Sequence, residues 1–431
     1  MLGISLLKAH ATVALLLVVL VAAGYAPVAG LTFLSDDWAV IRLVTIPDGV
    51  TNWPRVLDDF YSPLFERSPM YRPLYTLSFG TDFALFGTNP LPYHLVNLAL
   101  HAAASFFVYL LALEMVSGEG RRGISITAGA LFALYPIHPE AVTWIAGRVD
   151  LICAVFYLPA LLFFLRWLRT ERRLHLALSL ACFALALLSK EMAIVLPGLL
   201  FLLALYRSRS LAKAATGVAP FALVLGVYLA VRTYLLSGIA PHAAGGQEIE
   251  LLTSLQGFIY RTAHSFFPLN LGLLPAGWHG LAWPLFLLLS GMAVGTLAFA
   301  YYRGWAQSWF PLLLLALYGV SMVPVFRALR PDPSLVSSRW AYIPSVFLAI
   351  LIAYFLWRAL PRRPALVASV AVCAAFFAIL TANHGPWLQA GEMTQSYLEE
   401  GEKPELPVKY KGAHVFGSEI TWAAANRPPF E

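Results

Sequence analysis

Two adjacent acids, Asp36 and Asp37, stand in the stretch "GLTFLSDDWAVIRL" directly after a long apolar run. A carboxylate at the edge of a bilayer is costly to keep there without a partner or a task. A helix exit is also where a membrane-bound substrate can meet a water-borne one. A second set of chemical side chains lies in "HPEAVTWIAGRVD", which places His138, Glu140, Arg148 and Asp150 around a short turn. Arg148 could clamp a phosphate there, since its forked donors match phosphate oxygens and neighbouring carboxylates would orient it. The alternative is an ion cluster that satisfies itself. Tyr71 and Arg72 in "MYRPLY", Lys190 and Glu191 in "LLSKEMA" and Arg339 in "SSRWAYIPS" fall at comparable depth, so five separate segments converge on one level.

Two further patterns have plainer readings. His94, Asn97 and His101 recur at i, i+3 and i+7 on one helical face, the spacing of interhelical hydrogen bonding, with His94 nearest the mouth as a possible exception. Asp58 and Asp59 form another acid pair, read as a solvated helix face.

The elements that must position these residues are membrane helices. Of 431 residues, 59% are hydrophobic and 12% charged, and the mean hydropathy is +0.71, far from the soluble average. Apolar stretches near 10–32, 94–116, 124–139, 149–167, 174–189, 191–206, 212–236, 280–302, 309–326, 340–358 and 364–383 predict about eleven transmembrane helices in an all-α polytopic protein. Threaded from an internal N-terminus, fourteen lysines and arginines and three acids fall inside, leaving fifteen basic and twenty acidic residues outside. That separation follows the positive-inside bias. It puts 33–93, 140–148, 237–279, 327–339 and 384–431 on the extracytoplasmic face. The first of these is too long for a connector, and "NWPRVLDDFYSPLF" suits short amphipathic helices in the interface. Residues 1–383 read as the membrane domain and 384–431 as a short outer tail. The first apolar run is longer than a usual signal-peptide core and reads as a retained span.

Other chemistries find no support. Cys153, Cys182 and Cys373 are far apart in apolar runs and suggest neither disulfides nor a thiolate metal site. Phosphate-loop, dinucleotide-binding and zincin motifs are missing from the sequence, and the basic residues mark topology, not nucleic acid.

The blocks "SDDWAVI", "YRPLYTLSFGTDFALFGTNPLPYHLVNLALHA", "LFALYPIHPEAVTWIAGRVDLICAVFYLPAL", "LLSKEMAIVLPG" and "SSRWAYIPSVFLAIL" come in an order that resembles the GT-C glycosyltransferases. Within that group they are similar to the membrane portion of TMTC-type protein O-mannosyltransferases. The resemblance spans roughly residues 30 to 355, and the chain shows no 34-residue tetratricopeptide repeat of the kind those proteins carry. Their His-Pro-x-His element reads Tyr135-Pro136-Ile137-His138 here, so only the second histidine carries over.

The resemblance implies a GT-C-like bundle that moves a sugar, mannose being one candidate, from a polyprenyl-phosphate-linked donor to a hydroxyl of a protein, glycan or lipid acceptor, with inversion. Related enzymes have Asp-Glu where this chain has Asp36-Asp37, and the first acid is catalytic, which assigns the general base to Asp36. Asp37 would orient the acceptor or help hold a divalent cation; a metal is not required by this scheme. Arg72, His138, Arg148, Lys190 and Arg339 would hold the donor phosphate, supported by Tyr71, His94, Glu140, Asp150 and Glu191. Composition leans towards a bacterial inner membrane, with the site facing the periplasm or exterior. The competing class is a transporter or flippase of lipid-linked glycans, which would instead place its charges near mid-membrane and often show an inverted repeat.

Overall fold

The computed structural model describes residues 2–64, 70–236, 251–271, 279–302, 304, 309–330 and 335–400. Among them the only β pairing is one bridge between Thr45 and Thr51, and the architecture is all-α. In chain order the helices are α1 (Leu2–Gly24), α2 (Asp36–Leu43), α3 (Trp53–Asp58), α4 (Pro73–Phe86), α5 (Pro90–Met115), α6 (Arg121–Ala133), α7 (Pro139–Val142) and α8 (Arg148–Thr170). They continue with α9 (Arg173–Leu187), α10 (Leu196–Ser208), α11 (Leu211–Leu235), α12 (Leu251–Phe266), α13 (His279–Tyr302), α14 (Phe310–Met322), α15 (Ser345–Ala359) and α16 (Arg362–Glu400). Each of the eleven apolar stretches carries one of these helices. Among the described residues seven segments are long and apolar enough to cross a membrane, and α9 and α15 are shorter apolar helices.

Local chemistry sets several boundaries. Proline opens α4, α5 and α7, where its missing N–H costs no helical bond. Asn89 caps α5 by accepting from the Leu91 N–H at 3.2 Å, and Ser210 caps α11 by accepting from the Lys213 N–H at 3.4 Å. Glu171 and Arg209 end α8 and α10 in the left-handed region, at φ 53° and 54°, so each helix reverses sharply into the next.

In the bundle α8 packs along α5 and α9, and α6 lies between α5 and α15. The opposite ends of these helices differ in charge. Arg169 pairs with Glu114 at 3.1 Å, while Arg207 and Arg358 donate to the carbonyls of Glu114 and Ser117, so the arginines assigned to the inner side gather at one end. The acid pair and its partners gather at the other.

The 33–93 segment is more than a set of helices lying in the interface. Phe33, Trp38, Val40, Ile41, Val44, Val56, Tyr75, Phe79 and Phe83 of this segment form a second apolar core, closed from the bundle side by Tyr93, Ile145 and Val149. Arg148 fastens this small layer to the bundle. Its guanidinium is wholly buried and donates to Asp82 and to Ser78 Oγ (3.0 Å) on α4, and to Asn97 Oδ1 (2.7 Å) and the Tyr93 carbonyl (2.9 Å) on α5. Its flat faces lie 5.0 and 5.6 Å from the rings of Phe79 and Tyr93.

The last helix also differs from expectation. It does not stop at 383 but runs on to Glu400, with Pro386 inside it. Asn383 donates to the carbonyls of Pro136 and Pro268 at 2.8 Å each, and buried His384 bonds the Gly24 carbonyl at 3.1 Å, so these polar residues satisfy bundle carbonyls. The remainder of the expected tail, 401–431, lies outside the described residues.

Removing one member of a buried ion pair leaves the other charge uncompensated, typically a loss of about 3–5 kcal/mol. Arg148→Leu is therefore expected to lower the detergent-solubilised protein's unfolding temperature sharply. The double variant Arg148→Leu with Asp82→Leu should recover part of that loss, and strictly additive losses would contradict the tie described here.

Candidate active site

The acid pair opens α2, and its two members have opposite environments. Asp37 is buried and both its oxygens are occupied: Oδ2 accepts from the Leu34 N–H at 2.8 Å and Oδ1 from the Ala146 N–H at 2.7 Å. Burial pushes its carboxyl up to about 8 against the pull of these two donors, with Asp36 adding to the rise and Arg148 opposing it through space. Asp36 is exposed and makes no hydrogen bond or ion pair with the described residues. Ser35, just before them, holds φ 50° and ψ −118°, outside the usual basins of an L-residue. The Asp37 clamp and the donation of the Trp144 indole N–H to the Leu34 carbonyl (3.2 Å) hold this strained turn from both sides.

The turn that grips Asp37 belongs to the 135–150 segment, whose titratable groups do not pair with one another. Each reaches a different element. His138 bonds Ser345 Oγ at 2.9 Å; Glu140 accepts from the Arg339 N–H at 3.0 Å and Ser338 Oγ at 3.2 Å; Arg148 takes Asp82; Asp150 takes Lys190. Gly147 lets this turn close, because a Cβ there would lie 2.3 Å from the Glu140 carbonyl and 2.9 Å from that of Ala141.

Three cations line the neighbouring helix ends, each with its own carboxylate. Arg72 Nη2 and Nε both donate to Glu191 Oε2, at 2.9 and 3.1 Å. Lys190 is bonded to Asp150. Arg339 lies 3.6 Å from Glu140 and over the Trp144 ring at 4.9 Å. Burial lowers the Lys190 ammonium's proton affinity, with Asp150 opposing and the charges of Arg339 and Arg72 reinforcing, so the three cations are near enough to act on one another. Burial also works against charge on Arg72, but Glu191 outweighs it and the net shift is upward.

The expected phosphate set thus divides. Arg72, Lys190 and Arg339 come together, and their side chains keep some exposure, 13%, 6% and 24%. Arg148 is corrected to a buried tie, since four of its five N–H donors are taken by protein. His138 is likewise corrected: it is sealed among Phe132, Tyr135, Tyr342 and His101, with its Nε2 taken by Ser345 Oγ.

The supporting residues divide too. Glu140, Asp150 and Glu191 are the partners of the three cations. His94 bonds the Leu31 carbonyl at 3.1 Å and Tyr71 donates to the Phe60 carbonyl at 3.0 Å, so both serve local packing. The stripe of His94, Asn97 and His101 hydrogen-bonds between segments, Asn97 donating to the carbonyls of Val142 and Trp144 and His101 meeting the Tyr342 hydroxyl at 2.7 Å. Asp59 is held by Arg55 and Thr76.

Sequence reasoning passed over Tyr75 and Asp82. Tyr75 stands one helical turn after Arg72, and that i, i+3 spacing was the available signal. The divalent-cation alternative meets an unfavourable donor set. Among the described residues no three His, Cys, Asp or Glu side chains form a metal-holding group, and both Asp37 oxygens are engaged by backbone N–H groups.

Residues 67–234 match the dolichyl-phosphate-mannose-protein mannosyltransferase family model. Among curated proteins, the chain is 42% identical over 170 residues to protein O-mannosyl-transferase Tmtc1 of Drosophila melanogaster, covering 38% of this chain and 19% of that protein. It is 39% identical over 143 residues to protein O-mannosyl-transferase TMTC2 of Homo sapiens, covering 32% and 17%. The chain spans about a fifth of the length of the curated relatives it matches. Among solved structures, ArnT from Cupriavidus metallidurans bound to undecaprenyl phosphate aligns with 99% of this chain and 76% of its own, with a TM-score of 0.45 and 15% identity. The family match begins after Asp36-Asp37 and ends before Arg339.

Two measurements test the grip on Asp37. Its folded proton affinity is raised, so the stability it lends is complete below about pH 4, the ordinary carboxyl range, and is lost as the pH rises through about 8. Asp37→Asn cannot ionise and gives up one backbone bond; its deficit in unfolding temperature against wild type should narrow from acid to mildly alkaline pH, and a constant gap would contradict the shift. Gly147→Ala should destabilise the protein by about 1–3 kcal/mol through a forced backbone movement, and an unchanged unfolding temperature would show that the turn has room.

Proposed function

We propose that this protein is a membrane glycosyltransferase that moves a sugar from a polyprenyl-phosphate-linked donor to an acceptor hydroxyl, at the extracytoplasmic face and with inversion. The observation that carries the reading is the contrast within the acid pair. Asp37 is fixed by two backbone N–H groups, so its neighbour Asp36 is presented as an exposed carboxylate without a partner. Asp36 is the general base: it takes the hydroxyl proton as the acceptor oxygen attacks the anomeric carbon.

The leaving phosphate gains charge as the glycosidic bond breaks, and cations placed beforehand stabilise that charge. Arg72, Lys190 and Arg339 take this part. Each already faces a carboxylate, so the phosphate must share or displace it. Arg148 and His138 act by position: Arg148 fixes the start of α8 and so the turn that holds Asp37, and His138 ties α7 to α15. The membrane presents the lipid-linked donor already oriented, which lowers the entropic cost of encounter. Mannose is the favoured sugar, on the match of residues 67–234. The gathering of ionisable groups at helix ends favours a transferase over a flippase, for which mid-membrane charge is expected.

Asp36→Asn should leave thermal unfolding unchanged, since the side chain bonds nothing, and should lower turnover of a polyprenyl-phosphate-linked sugar by about 10²–10⁴-fold. Turnover near that of wild type would remove Asp36 from the reaction.

A further inference from the structure

Arg72, Lys190 and Arg339 each face a carboxylate, so an arriving anion finds no uncommitted cationic donor among these three. One neutral donor stands apart. Tyr75 is only 5% exposed, its ring packs at 5.0 Å from that of Phe79, and its hydroxyl has no hydrogen-bond partner in the described protein. The hydroxyls of Tyr25, Tyr157 and Tyr228 are sealed from solvent as well as unbonded; that of Tyr75 is not sealed. A buried phenol usually finds a partner. The Tyr75 hydroxyl keeps some solvent exposure in place of one.

Its position says what the partner is. Tyr75 follows Arg72 by one turn, its N–H bonding the Arg72 carbonyl at 3.0 Å. The phenol stands on the first turn of α4, which packs against α2, the helix that Asp36 and Asp37 open; both aspartates, Arg72 and Arg148 are near enough to act on it electrostatically. Burial and the two aspartates raise its pKa, so it stays protonated and can only be useful to an anion as a donor.

We propose that the Tyr75 hydroxyl donates a hydrogen bond to the phosphoryl group of the lipid-linked donor, making Tyr75 a catalytic residue. The assignment rests on the glycosyltransferase reading. In the transfer the acceptor oxygen bonds to the anomeric carbon, the bond from that carbon to the phosphate oxygen breaks, and its electron pair stays on the phosphate. The acceptor proton passes to Asp36. Tyr75 keeps its own proton throughout, and its bond strengthens as the phosphate changes from a diester to a more highly charged monoester.

The test uses the full chain in nanodiscs with undecaprenyl phosphate as probe. Tyr75→Phe keeps the ring and removes a hydroxyl that bonds nothing in the protein, so its unfolding temperature should match wild type. Its affinity for undecaprenyl phosphate should fall about 10- to 100-fold, the effect of a hydrogen bond to a charged group. Equal affinity in the two proteins overturns the assignment while leaving Asp36 and the transfer reaction standing. Should the variant not fold, 3-fluorotyrosine at position 75 decides: a fluorine resonance that shifts on adding undecaprenyl phosphate supports the contact, and one that does not move overturns it. A wild-type protein that neither binds undecaprenyl phosphate nor turns over a polyprenyl-phosphate-linked sugar overturns the functional reading, and Tyr75 falls with it.

Discussion

A guanidinium that no water reaches governs the geometry of the whole Asp36 end of the molecule. Taking a charge out of water costs several kcal/mol unless its partners are close and complete. Arg148 meets that condition with donors to Asp82, Ser78, Asn97 and the Tyr93 carbonyl and with an aromatic ring on two sides. Those partners belong to α4 and α5, while Arg148 begins α8. Three elements are thereby held in one arrangement, because a partial separation would leave a buried charge or a buried acceptor unpaired. The turn at 145–147 directly precedes Arg148, and its Ala146 N–H is what fixes Asp37. The placement of an exposed carboxylate at residue 36 is thus a downstream result of burying a cation at residue 148.

The charges nearer the acid pair follow a different principle. Arg72, Lys190 and Arg339 do not form a bare positive patch; Glu191, Asp150 and Glu140 balance them one for one. A bare cluster of three cations at this degree of burial would repel itself. Paired with carboxylates, the cations are oriented and kept charged, and an anionic ligand gains only the difference between itself and the carboxylate it competes with. Such a site discriminates by geometry more than by charge, since a diffuse anion offers little that the resident carboxylates do not. It also gives weight to a neutral donor without a competitor, the condition that Tyr75 meets.

Much of this was legible beforehand. Runs of apolar residues are a local property, and the expected apolar stretches carry helices, although among the described residues only seven segments are long and apolar enough to cross a membrane; the i, i+3, i+7 stripe of His94, Asn97 and His101 bonds between segments as its spacing implies. Partner choice was not legible, because it depends on folding. From sequence, Arg148 and Asp150 sit two residues apart and look like members of one cluster, yet successive positions on a helix point in different directions. Arg148 therefore turns to α4 and Asp150 to Lys190. The same rule separates Tyr71 from Tyr75: Tyr71 precedes α4 and turns to the Phe60 carbonyl, whereas Tyr75 lies on the helix's first turn with Arg72. The end of α16 was missed because hydropathy falls after residue 383, although Asn383 and His384 are buried by hydrogen bonding to bundle carbonyls, which a hydropathy scale does not register.

The family match covers 67–234, yet two of the residues argued to do chemistry, Asp36 and Arg339, lie outside it. The contacts explain how a matched segment can still dictate their positions. Ala146 grips Asp37 through its backbone N–H, Trp144 holds the Leu34 carbonyl, and Glu140 receives the backbone N–H of Arg339. In each case one side of the bond is main chain, so the outlying segment is located largely irrespective of its own side chains. In these three contacts only Asp37 supplies a side chain from outside the match. Sequence can accordingly drift around Asp36 and Arg339 without moving them, provided the turn from 140 to 147 keeps its shape, and it is that turn, with its glycine pressed against two carbonyls, where the tolerance for change is smallest.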